Sequence, residues 1–145
     1  MAVMGSKNKS EHNPNDIPFN RHHLFFQKAS YKGTFQRRFR NHEGLVIPVL
    51  KTAHKELHNV LGPPPKPTSD MMEGCLEVLS QDLSELDVNP FYALNAVVNY
   101  LGVYKERTDD ISLAIHAERI QRHLGFQAVI LSNNTLMEVR QNEQR

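Results

Sequence analysis

The sequence predicts a small α+β fold: a hairpin-and-helix module followed by a helical, bundle-like extension. Three observations predict it. Two short apolar runs, His22 to Phe26 (HHLFF) and Leu45 to Leu50 (LVIPVL), flank a basic connection and precede a helix-like segment. A proline-rich stretch, Gly62-Pro63-Pro64-Pro65-Lys66-Pro67, then interrupts the chain. Beyond it, apolar residues recur every three or four positions, the period of amphipathic helices.

Residues 1–16 are polar and aperiodic and read as a flexible arm. The module spans 17–62. Its first strand is expected at His22 to Phe26, and its second at Leu45 to Leu50. Pro48 argues for an edge position, because proline cannot donate to a sheet ladder. Between them, Tyr31, Phe35 and Phe39 recur at spacing four and share one face if the stretch is helical; they read as core rather than as base-stacking groups. Thr52 is expected to cap a helix from Ala53 to Leu61, stopped by Gly62, with Ala53, Leu57, Val60 and Leu61 as its apolar face. Residues 63–68 form a stiff linker, the best boundary in the chain.

Residues 69–131 form the helical region. Ser69 or Asp70 is expected to cap a helix carrying Met72, Cys75, Leu76, Leu79 and Leu83. Asn89-Pro90 starts a second, with Phe91, Leu94, Val97, Val98, Leu101 and Tyr104 as its stripe. Asp109 or Asp110 starts a third through Ile111, Ala114, Ile115, Ile120 and Leu124, closed by Gly125. Phe126 to Leu131 fits a further turn of helix or a short strand, and 132–145 fades into a polar tail.

Composition narrows the class. The 145 residues suffice for one ordinary domain. No apolar run approaches the roughly 18–20 residues of a membrane span, and no signal-peptide core precedes the module. A cytoplasmic location and no membrane partner are the defaults. Cys75 is the only cysteine, which excludes an internal disulfide and a cysteine-based zinc knuckle. It reads as a small buried side chain.

The net charge of +1 hides an asymmetry. From Asn20 to His58, Arg21, Lys28, Lys32, Arg37, Arg38, Arg40, Lys51 and Lys55 face only Glu43 and Glu56, so this segment carries +6 and the remainder −5. Five of the eight histidines lie in the same segment. Clustered base and imidazole together form an electrostatic footprint for phosphate.

The histidines carry the sharpest signal. His22 and His23 are adjacent, and His54 and His58 stand one helical turn apart. Imidazoles four apart on a helix share a face and can chelate one ion, and a third from a neighbouring strand completes a neutral set with an open position. Such nitrogen donors favour zinc or nickel over magnesium.

Paired histidines on one strand, a second strand, then H-x-x-x-H on a helix resemble the ββα-metal (HNH, or His-Me finger) endonucleases. The variant with three histidine ligands, as in the DNase colicins, is the nearest in pattern. RHHLFF (21–26) and LVIPVLKTAHKELH (45–58) carry the resemblance, which covers about 40 residues of the 145 and none of the helical half. The chain also looks like short phage-encoded proteins of this type, which would place it in a bacterial host's cytoplasm. The resemblance implies that His22, His54 and His58 bind one divalent metal, zinc foremost, with nickel, manganese or magnesium able to serve. It implies that His23 is the general base for hydrolysis of a DNA phosphodiester. Arg21, Lys28, Lys32, Arg37, Arg38 and Arg40 are then candidates for gripping phosphates.

One departure stands out. The family carries an asparagine, just before or at the start of the second strand, that pins the loop orienting the base. Here that position reads Glu43-Gly44-Leu45, and Asn41 lies thirteen residues ahead of His54. Asn41 or His42 must substitute through a longer loop, or the pinning is lost. The alternative reading is a non-catalytic regulatory or adaptor protein on the same scaffold, binding DNA and a protein partner, or self-associating, through its helical half. The missing asparagine and the acidic second half favour that alternative; the complete set of four histidines favours the enzyme.

Overall fold

The computed structural model describes residues 19–81 and 91–133. The expected arm, Leu83, the Asn89-Pro90 helix start and residues 134–145 of the tail lie outside them. The architecture is mostly helical α+β, an N-terminal hairpin and helices followed by a helical extension.

Strands β1 (Phe19–His23) and β2 (Val46–Leu50) pair antiparallel, with His22 opposite Ile47 and Arg21 opposite Pro48. Alternation sorts the two faces. His22, Ile47 and Val49 are buried, whereas Arg21 and Pro48 are exposed. Pro48 is tolerated because a two-stranded hairpin leaves each strand a free edge. The first strand lies earlier than His22 to Phe26. Leu24 and Phe25 are buried in succession, a break from the one-face alternation of β1, and the chain bends there.

The basic connection is only partly helical. A 3₁₀ turn (Lys28–Ser30) precedes helix α1 (Thr34–Arg40). Tyr31 lies before the helix, yet it and Phe39 are buried, and the Phe25 and Phe39 rings meet at 4.9 Å. A second 3₁₀ turn (Glu43–Leu45) leads into β2. His42 caps it by accepting from Gly44 N at 3.0 Å.

Helix α2 (Lys51–Leu61) starts two residues earlier than expected, directly from the strand. Leu50 is its N-cap and no side chain caps it, so Thr52 sits inside the first turn. Leu57 and Leu61 are buried, but Val60 is 51 % exposed. Gly62 ends the helix at φ 70°, a left-handed conformation suited to glycine, and its N–H bonds His58 O at 2.9 Å. Leu61, Pro64 and Pro67 are then buried in turn. That period of three is the repeat of a polyproline II segment packed along one side.

Helix α3 (Ser69–Leu79) is capped by Thr68, one residue before the expected caps, whose Oγ1 accepts from Met71 N at 3.2 Å. It buries Met71, Met72, Cys75 and Leu79. Burial pushes the Cys75 thiol up to about 12, so it is an inert core group. Helix α4 (Tyr92–Arg107) buries Ala93, Leu94, Val97 and Leu101.

Helix α5 (Ile111–Asn133) is capped by Asp110, which accepts from Ser112 N at 2.9 Å. It runs through Gly125 instead of ending there. Its buried positions Ala117, Ile120, Leu124, Gln127 and Leu131 keep one stripe across the glycine. An interior glycine costs about 1 kcal/mol, less than the roughly 2 kcal/mol from burying Leu131. Ile111 and Ile115, expected in the stripe, are exposed. Side chains from the hairpin, α2 and the later helices belong to one buried core. Among the described residues no helix is long and apolar enough to cross a membrane.

Candidate metal centre

Hairpin and helix bring His22, His54 and His58 together. Asn20 and His22 alternate onto the same face of β1, and α2 presents His54 and His58 beside its buried stripe. One donor nitrogen from each histidine lies within 4.8 Å of the other two, so the group could hold a metal ion. His22 Nδ1 lies 3.3 Å from His54 Nε2, and His58 Nε2 lies 3.0 Å from the same atom. A tetrahedral ion with bonds of about 2.0–2.1 Å separates its nitrogens by about 3.3–3.4 Å, close to both values.

The His22 tautomer agrees with that fit. Gln127 Nε2 donates to Leu24 O at 2.9 Å, which turns Gln127 Oε1 toward His22 Nε2 at 2.8 Å. The His22 Nε2 therefore carries the proton, and Nδ1 presents a lone pair to the cluster. Asn20 Nδ2 donates to His54 Nδ1 at 3.1 Å. With Nδ1 accepting, His54 Nε2 carries the ring proton in the metal-free protein, and coordination through Nε2 requires the carboxamide to turn so that its oxygen accepts the proton at Nδ1.

Burial disfavours the charged form of all three imidazoles. His22 is fully buried; desolvation lowers it to about 4, against the opposing bond to Gln127. Desolvation also lowers His54 and His58. Phe26 walls the site, its ring 4.2 Å from that of His58 and 5.8 Å from that of His22. His54 and His58 remain half-buried, so solvent can approach from the α2 side. Neutral nitrogen donors in a partly apolar recess suit zinc or nickel better than magnesium.

His23 ends β1 with its ring half-buried. Its Nε2 donates to Asn41 Oδ1 at 2.9 Å, which leaves Nδ1 as the basic nitrogen. Its pKa is lowered, first by desolvation and then by Arg40, against the bond to Asn41. Asn41 thus reaches the paired histidine through the longer loop, while His42 caps the following turn. Arg21, Lys28, Lys32, Arg37 and Arg38 are exposed. Arg40 is half-buried and bonds Phe26 O at 3.2 Å and Asn41 Oδ1 at 3.5 Å, so its guanidinium serves the loop as well as the surface.

Sequence reasoning missed Asn20, His123 and Gln127. His123 Nε2 donates to Leu61 O at 3.2 Å, and its Nδ1 accepts from Gln127 Nε2 at 3.3 Å. The available signal was a polar residue within the apolar stripe Ile120, Leu124, Leu131, since a buried amide requires partners. Comparison with protein-family models, curated proteins and solved structures returned no match, so the geometry alone carries the functional reading.

Proposed function

We propose that this protein is a metal-dependent endonuclease hydrolysing DNA phosphodiesters. The carrying observation is the convergence of three imidazoles at one point, with His23 next in the chain and oriented by Asn41. His22, His54 and His58 would hold one divalent ion, which supplies charge neutralisation at the phosphoryl oxygens when bound. His23 takes a proton from the attacking water at Nδ1, and its depressed pKa favours the unprotonated form that a base needs. Asn41 holds the opposite nitrogen and so aims the base. The exposed Arg21, Lys28, Lys32, Arg37 and Arg38 bind flanking phosphates. A non-catalytic scaffold gives no reason for a paired, oriented His23.

Metal analysis combined with plasmid nicking tests the reading. His23→Ala is expected to retain metal and lose about 10²- to 10⁴-fold in cleavage, the usual share of a general base. His54→Ala loses both. Protein that binds no metal and is inert with zinc, nickel, manganese and magnesium refutes it, and cleavage unaffected by His23→Ala removes the assigned base. DNA binding weakens steeply as salt rises.

A further inference from the structure

We propose that Gln127 is a positioning residue of the metal centre, which makes helix α5 a working part of it. The inference rests on the metal-binding reading and is independent of nuclease activity. Gln127 is the fully buried polar residue of the α5 stripe, and every hydrogen-bonding atom of its amide is used. Its nitrogen is held between Leu24 O and His123 Nδ1, so its oxygen can face only His22. Both of those anchors are themselves fixed. Leu24 continues the hairpin through its N–H to Leu45 O at 3.0 Å, and His123 is tied to the end of α2 through Leu61 O.

An imidazole can bind an ion through either nitrogen, and the nitrogen left over needs an acceptor. Gln127 makes that choice for His22: Nε2–H is consumed and Nδ1 becomes the donor atom. It also stops the ring from rotating away and raises its basicity as a ligand. The hairpin and α2 supply the ligands, and the helical half supplies the part that selects the donor atom.

Two full-length variants and one measurement on the wild type test this. Gln127→Met keeps the volume and removes the acceptor. It is expected to weaken zinc binding about 10- to 100-fold in a competition titration, with the metal-free helix content unchanged. Gln121→Met removes a comparable α5 glutamine bond, to Val98 O at 2.8 Å, away from the site, and leaves zinc affinity at the wild-type value. In cadmium-113-loaded wild type with nitrogen-15-labelled histidine, His22 shows metal coupling to Nδ1 and a slowly exchanging proton on Nε2. That spectrum decides the matter even where Gln127→Met does not fold. Wild-type affinity in folded Gln127→Met, equal weakening by Gln121→Met, or cadmium coupling to His22 Nε2 overturns the proposal. Absence of metal binding by the wild type overturns it together with the metal site, whereas loss of cleavage with metal retained refutes only the nuclease reading.

Discussion

Acidifying the metal-free protein should destabilise it well above the pH at which carboxylates protonate. His22 is fully buried and holds a pKa of about 4, whereas in the unfolded chain it returns to the ordinary 6.5. The folded value is the lower one, so the unfolded chain takes up the proton first. Stability is therefore complete above about pH 6.5 and falls as pH drops toward about 4. Between about pH 7 and pH 5, linkage assigns roughly 2 kcal/mol of loss to His22 alone. His23, His42, His54 and His58 are also depressed by desolvation and add to it in the same direction, each discounted for partial exposure. The assay is urea unfolding followed by circular dichroism in the presence of a chelator, at steps of pH across that window. His22→Asn, which cannot titrate, should remove His22's share of the slope. Stability that stays level from pH 7 to 5, or a wild-type slope surviving in His22→Asn, refutes the argument that burial holds this histidine neutral.

Other expectations can be read by similar means. Asn41→Ala should slow nicking about ten-fold or more by freeing His23, with zinc affinity unchanged; parallel rate and binding measurements check this. Gly125→Ala should stabilise the protein by about 0.5–1 kcal/mol in urea unfolding, because the glycine lies within α5 with open space around a new Cβ. Gly74→Ala should instead cost about 1–3 kcal/mol, since its Cβ would overlap the Tyr100 ring where α3 packs on α4.

The legible part of the fold was what local chemistry dictates. The hairpin followed from two apolar runs around a basic connection, α2 from its stripe and Gly62, and α5 from Asp110. Boundaries failed where tertiary burial overrode local cues. Leu24 and Phe25 end β1 because both enter the core, and α5 passes Gly125 because Leu131 continues its stripe. In the site, His54 and His58 were legible because a helix fixes their spacing, and His22 because strand order brings it near. Asn41 was named as a substitute, and the structure pairs it with His23. Gln127 was not legible, because it lies 105 residues from its partner His22, a separation for which sequence period carries no signal.

That separation yields a last prediction, on the hairpin-and-helix module cut free at the linker. As a peptide of residues 17–62 it carries all four histidines and both strands, and by sequence pattern alone it looks self-sufficient. Its interior says otherwise. Leu24, Leu45, Leu57 and Leu61 are at most 6 % exposed in the whole chain. The 3₁₀ turn before β2 packs against α4, and β1 and α2 are tied to α5 through Gln127 and His123. At about 1.5–3 kcal/mol per fully exposed leucine, the loss on removing the helical half has an upper bound of roughly 6–12 kcal/mol. That bound matches the whole stability of an ordinary domain, about 5–15 kcal/mol. So short a peptide also cannot replace it with a core of its own. The peptide should be unfolded by circular dichroism without metal, and in a competition titration it should bind zinc more weakly than the full chain. The energy of folding must then come from the metal. A peptide that folds alone and matches the full-length zinc affinity would refute this, because α5 would then be dispensable to the site it touches.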